Sequence, residues 1–397
     1  MTSYSNVHRY PSAQRAASEL PTPAPDTPRT MLGGLSAAQF MRRHWQKKPL
    51  LIRGAFPGFQ PILSRQELFA MAAVETVESR LIVHQATGWR LKHGPLSRTS
   101  LPPLKQKRWT LLVQGVDLHR NAAHDLLQQF RFVPDARLDD LMISWASDGG
   151  GVGPHFDSYD VFLLQAHGQR LWRIGRQKNL SLEPDVPLKI LSHFEPEEEH
   201  LLNPGDMLYL PPGWAHDGVA VGDDCMTYSV GFRVPQRGGL VGELLQRMAE
   251  EFDDEVLYRD PGQTATDTPA AMPAALADFA FEGMQRLLRE RGSLACALGE
   301  VMTEPKPQVW FEEPAQAWTP TALVLDRRTR MMYDEQRVFI NGESFRAGGA
   351  DARLMRRLAD QRRLTARDVA RASVAAQALL QDWFEAGWLH NTLPSGA

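Results

Sequence analysis

Between Leu81 and Phe232 apolar runs of strand length alternate with Gly and Pro: "RLIVH", "RWTLLVQGV", "DLMISWAS", "DVFLLQA", "RLWRIG", "DMLYLPP" and "MTYSVGF". Many short strands at this spacing predict an antiparallel sandwich or barrel rather than an alternating α/β sheet, with a jelly roll as the leading candidate. Upstream, Ser36 is placed to cap a helix over "SAAQFMRRHWQ", with Phe40 and Trp45 on one face and Pro49 closing it before the strand-like "LLIRGAF". A second helix is expected from Arg65 to Ala73. Beyond Pro235 the apolar period becomes helical, in "LVGELLQRMAEEF" and then "PAALADFAFEGMQRLLRERG" after a polar linker, Asp260 to Thr268. Surplus apolar faces on such helices point to self-association, hence a homodimer. The last stretch has two strand runs, "TALVLD" and "RVFING", followed by helices "ARLMRRLADQ", "TARDVARA" and "AAQALLQDWFEAGWLH", the order of a winged helix. The first residues are polar, and "PTPAPDTP" repeats proline too often for helix or sheet. The expected organisation is a disordered tail (1–30), a mainly β domain (31–235), a helical dimerisation region (236–304) and a winged-helix-like domain (305–397).

Composition narrows the partners. The chain has 397 residues, 43% hydrophobic and 23% charged, which suits a soluble globular protein of two or three domains. No apolar run approaches the roughly 18 residues that cross a bilayer. The N-terminus lacks a secretory apolar segment and there are only two cysteines, Cys225 and Cys296, so the expected setting is the reducing cytoplasm. A net charge of -3 excludes a surface built wholly for polyanions. Residues 301–397 hold 13 Lys and Arg against 12 Asp and Glu, so no direct DNA binding is expected of the winged helix.

The candidate chemistry starts at "GGGVGPHFDSYDVFLLQ", Gly149 to Gln165. Residues i and i+2 of a strand share a face, so His155 and Asp157 can converge on one metal ion. A lone H-x-D is weak, with roughly 0.7 chance occurrences expected in such a chain. The second segment changes the balance: in "PGDMLYLPPGWAHDG" a strand ends in a rigid Pro-Pro-Gly turn that delivers His216. The gap between them lets the chain cross to the opposite sheet and return over the barrel mouth. Two imidazoles and one carboxylate make the facial triad of non-haem Fe(II) sites with open positions. His167, in the turn "AHGQ", and His44, expected to be solvated among basic residues, suit the role less well. Such iron needs an electron source, and 2-oxoglutarate requires a cation for its far carboxylate. The chain is expected to turn at His167-Gly168-Gln169 and bring Arg170 back beside the first strand, where a guanidinium grips a carboxylate with two bonds. Arg173, three positions on, is expected on the opposite face.

Together, "FMRRHWQKKPLLIRGA", "GVGPHFDSYDVFLLQAHGQRLWRIG" and "PGDMLYLPPGWAHDG" resemble the JmjC-type 2-oxoglutarate oxygenases, and more narrowly the bacterial ribosomal oxygenases that hydroxylate an arginine of large-subunit ribosomal protein sixteen. The resemblance runs from about residue 31 to the C-terminus and is strongest over 139–232. It implies a double-stranded β-helix (cupin-like jelly-roll) core, a helical dimerisation region and a C-terminal winged helix. It carries the metal ligands onto His155, Asp157 and His216 and the co-substrate arginine onto Arg170, with Fe(II) as cofactor and 2-oxoglutarate and dioxygen as co-substrates. It also implies a hydroxyl near the co-substrate at Ser144; two positions on, Ala146 stands where a serine is expected in close relatives. Its substrate pocket falls on Asp140, Met142 and Tyr159, an acid, a thioether and a ring that suit an arginine side chain. The implied partner is a ribosomal protein. The alternatives are hydroxylation of another residue such as histidine, and a non-enzymatic cupin-like metal-binding regulator.

Overall fold

The computed structural model describes residues 24–86, 88–289 and 291–391, so residues 1–23 of the expected tail lie outside the described residues. Residues 24–30 do not behave as a tail: the Pro25 carbonyl accepts the Ala38 N–H at 3.0 Å and Pro28 forms a bridge with Ser36. Helix α1 (Ala37–Arg43) opens on a complete capping box, Ser36 and Gln39 exchanging bonds. It ends well before Pro49 because His44 leaves helical geometry, stacks on Phe40 and bonds the Pro49 carbonyl. The expectation of a solvated His44 is thereby corrected.

Strands β1 (Leu50–Ile52), β2 (Ser79–Gln85), β3 (Gly88–His93), β4 (Trp109–Val113), β5 (Leu138–Ala146), β6 (His155–Phe156), β7 (Asp160–Gly175), β8 (Glu198–Leu202), β9 (Met207–Leu210) and β10 (Ala215–Phe232), with helices α2 (Arg65–Met71) and α3 (Asn121–Gln128), complete the first domain. One antiparallel sheet runs in the order β1-β9-β7-β10-β5-β4-β2-β3, with β6 on β10 and β8 on β7. The mainly β, cupin-like jelly roll is therefore as the sequence indicates. Side chains alternate in direction along β5: Leu141, Ile143 and Trp145 enter the main core beside Trp109, Phe130 and Tyr228, while Asp140, Met142 and Ser144 face the other way into the barrel.

The expected turn at His167-Gly168-Gln169 is absent. β7 is one long strand paired with β10 from Asp160 to Gly175, and the irregularity is a bulge where Val221 to Met226 of β10 passes Gln169 to His167. Gly168 has φ +63°, and a Cβ there would crowd the backbone at Asp224, which explains the glycine.

Helices α4 (Arg237–Glu250), α5 (Ala274–Arg289) and α6 (Arg291–Thr303) follow. α6 packs on α4 and also on the next domain, where Gly299 meets the Phe339 ring with no room for a Cβ. The last domain is built from β11 (Leu323–Leu325), β12 (Met331–Tyr333), β13 (Arg337–Ile340), β14 (Glu343–Arg346), α7 (Gly349–Gln361), β15 (Arg363–Leu364), α8 (Ala366–Ala370), α9 (Val374–Glu385) and β16 (Leu389–Asn391) around Leu358, Leu380, Trp383 and Phe384. Arginines join it to the β domain: Arg327 donates to the Leu118 carbonyl and Arg330 to that of Leu138. No described helix is long and apolar enough to cross a membrane.

Candidate active site

β6 is only two residues long and pairs with the first residues of β10, so that His155 stands opposite His216. The chain leaves β6 through β7, β8 and β9 and returns as β10, which makes the third ligand position the strand partner of the first. Asp157 lies just past β6, its Oδ2 3.9 Å from His155 Nε2 and 3.6 Å from His216 Nε2. All three ligand atoms fall within 4.8 Å of one another, the one such group among the described residues. The Pro-Pro-Gly turn is tied to this segment, since Gly213 N–H donates to the Asp157 carbonyl at 2.8 Å.

Each imidazole is held by its other nitrogen. His155 Nδ1 lies 2.9 Å from the Gly153 carbonyl and His216 Nδ1 3.0 Å from that of Trp214. A carbonyl only accepts, so the proton sits on Nδ1 and both Nε2 lone pairs are left for a metal. Burial, with His155 alongside, lowers the His216 pKa to about 4, so this ligand is neutral at pH 7 without a metal to displace its proton.

The triad opens on a cavity of about 490 Å³ within the barrel. Arg170 reaches it from β7, 4% exposed; its Nη1 donates to the Gly218 carbonyl at 3.0 Å and its guanidinium lies 5.7 Å from the Trp172 ring centre. Its Nε and Nη2 are buried with no partner. Unpaired donors on a buried guanidinium are costly, and the group that would satisfy them is a carboxylate. Gly218 lets Trp172 lie against β10, because a Cβ there would strike the indole. Arg173 points outward to Glu199 at 2.8 Å and Asp217 at 3.7 Å, which leaves Arg170 as the arginine of β7 that lines the cavity. Two imidazoles, a carboxylate and this half-paired arginine fit Fe(II) and a dicarboxylic keto acid.

The remaining expected residues also line this cavity. Ser144 is buried and its hydroxyl donates to the Thr227 carbonyl at 3.2 Å, while Ala146 is a core residue beside Ala220 and Cys225. Met142 is half-buried on the cavity side rather than in the core. Tyr159 is 40% exposed as a residue, and burial of its phenol, with the Asp157 and Asp140 charges near it, drives its pKa above the ordinary range. Asp140 is not the free acid the sequence suggested: its Oδ2 accepts from Gly115 N at 3.1 Å and lies 3.5 Å from Lys306 Nζ. Thr110, Arg80 and His93 line the cavity without a sequence signal, and Lys306, equally without one, contacts Asp140. β3 is too polar to read as a strand, and Lys306 sits in the unpatterned "TEPKP", so only the fold brings them here.

Dioxygen activation at an open metal triad would need electrons, and the half-paired guanidinium on the same cavity would anchor a dicarboxylate able to supply them; on a cupin-like barrel this is the class of 2-oxoglutarate-dependent oxygenases. Comparison with known proteins narrows it. Residues 125–240 match the JmjC domain and residues 286–390 the ROXA-like winged helix, so the latter match takes in α6. The chain is 35% identical over 287 residues to the ribosomal protein uL16 3-hydroxylase of Escherichia coli K12, spanning 72% of this chain and 76% of that one. It is 34% identical over 256 residues to a probable ribosomal oxygenase of Haemophilus influenzae, spanning 64% and 63%. The solved structure of the E. coli ribosomal oxygenase YcfD with cobalt and 2-oxoglutarate superposes with a TM-score of 0.75 at 31% identity, covering 90% of this chain and 98% of that one. The chain belongs to the JmjC-type ribosomal oxygenases.

Proposed function

We propose that the enzyme hydroxylates an arginine side chain of a large-subunit ribosomal protein, with Fe(II) held by His155, Asp157 and His216 and 2-oxoglutarate held by Arg170 and steadied near Ser144. The observation that carries the arginine reading is the placement of Asp140, Met142 and Tyr159 together on the triad's cavity. A carboxylate suits a guanidinium, and a thioether and a phenol ring suit its aliphatic stem. The E. coli relative's name supports a ribosomal target.

When bound, iron couples the oxidative decarboxylation of 2-oxoglutarate by dioxygen, giving succinate and carbon dioxide, to insertion of one oxygen atom into a substrate C–H bond. The chain supplies placement. Arg170, whose buried Nε and Nη2 have no partner, would fix the far carboxylate of the keto acid by charge-assisted bonds. The Gly153 and Trp214 carbonyls lock both imidazoles in the ligating tautomer. Asp140, Met142 and Tyr159 hold the target side chain, and the apolar walls at Leu112, Val161 and Leu163 exclude water.

A ribosomal substrate places the enzyme in the cytoplasm. The exposed Leu276, Phe281, Met284 and Leu288 of α5 support a homodimer through the helical region. The reading is tested by succinate formation from iron, 2-oxoglutarate and purified large-subunit proteins: turnover stimulated by one protein is expected, and no stimulation by any of them would overturn it.

A further inference from the structure

Lys306 lies between α6 and the last domain, yet its ammonium reaches the wall of the active site. Its Nζ is 3.1 Å from Asp139 Oδ1 and 3.5 Å from Asp140 Oδ2, with the side chain 28% exposed. Behind them, buried Asp117 accepts the Leu141 N–H at 2.8 Å, and Arg233 faces Asp139 at 3.4 Å. The Tyr159 phenol faces Asp140 from the loop before β7, with Arg80 beyond it. Two buried carboxylates so close cannot both stay ionised unless a cation offsets them. Burial, with Asp140 alongside, pushes Asp117 up to about 7; burial likewise raises Asp140, and Lys306 opposes that rise. A protonated Asp140 would lose the charge-assisted pair with a guanidinium.

We propose that Lys306 is a positioning residue for substrate recognition: its ion pairs with Asp139 and Asp140 keep the Asp140 carboxylate anionic, pin Oδ2, and leave Oδ1, beside Gly231, for a cationic side chain. The segment leading into the winged helix thereby helps to set substrate choice in the barrel. This rests on the arginine reading above, in which Asp140 receives the substrate cation.

The test uses the full chain with Lys306→Met and Lys306→Arg. The ¹³C carboxyl signal of Asp140, assigned by Asp140→Asn, is titrated without substrate, and the KM for an arginine-containing ribosomal peptide is measured from about pH 6 to about pH 9, the KM for 2-oxoglutarate serving as control. In Lys306→Met the Asp140 titration moves upward and the peptide KM at neutral pH rises about tenfold, recovering as pH rises. Lys306→Arg restores both. Identical Asp140 titration in wild type and Lys306→Met overturns the proposal, as does a peptide KM that rises equally at every pH. If the wild-type enzyme accepts no arginine peptide, the arginine reading fails, while the titration still decides whether Lys306 governs Asp140. Should Lys306→Met not fold, Lys306→Gln takes its place in the titration.

Discussion

Replacing Arg170 by methionine separates binding from folding. In the ligand-free protein the guanidinium is buried, makes one hydrogen bond to Gly218 and leaves two nitrogen atoms unpaired. Each unpaired donor is worth about 1.5–3 kcal/mol once it meets a carboxylate, so two of them supply about 3–6 kcal/mol of 2-oxoglutarate binding. At 1.4 kcal/mol per tenfold, the apparent affinity should fall about 10²- to 10⁴-fold in Arg170→Met. Stability should respond differently: an apolar side chain of similar length in place of a buried, half-paired cation leaves the ligand-free protein as stable as wild type or more so. Urea unfolding of the ligand-free protein and the 2-oxoglutarate dependence of succinate release measure the two quantities. An unchanged KM for 2-oxoglutarate would refute the assignment, and a matching loss in Arg173→Ala would transfer the role to an arginine that the structure turns outward.

Three further outcomes follow from the geometry. Asp157→Ala removes one of three ligands and should weaken Co(II) or Mn(II) binding by more than about 100-fold with the circular dichroism spectrum intact, since loss of outer-sphere partners alone costs about 10- to 100-fold; retained metal affinity would remove the triad. His216 titrates near 4 when folded, below its unfolded value of about 6.5, so its contribution is present above pH 6.5 and lost as pH falls toward 4. Between pH 7 and pH 5 the metal-free protein should lose about 2 kcal/mol through this residue, read as the difference between wild type and His216→Gln in urea titrations, and equal losses in the two would contradict it. If the proposed homodimer forms through α5, where Phe281 is 62% exposed, wild type should scatter light as a dimer and Phe281→Glu as a monomer; equal masses for the two would overturn that interface.

The cap at Ser36 and the convergence of His155 and Asp157 are local signals, and the structure follows them. The first half of β10, "AHDGVAVGDD", carries no strand pattern and is a strand because β7 supplies its ladder. For the same reason the glycine at 168 reads as a turn when it is a bulge in a continuous strand: both need positive φ, and only the partner strand distinguishes them. α6 lies inside the expected helical region but has no separate signal, because it packs against both α4 and β13 and so lacks a single apolar stripe. At the site the residue types were readable, but their bonds were not. That Asp140 is already engaged by Gly115 and Lys306 depends on contacts distant in sequence, which no local pattern encodes.

The proposed reaction adds one oxygen atom to an arginine of a large-subunit ribosomal protein. Ribosomal proteins incubated with the enzyme, iron and 2-oxoglutarate, then weighed intact and fragmented, test it directly. One protein should become heavier by a single oxygen, mapped to an arginine and absent with Asp157→Ala. An added oxygen on a histidine, or on no ribosomal protein at all, would contradict it.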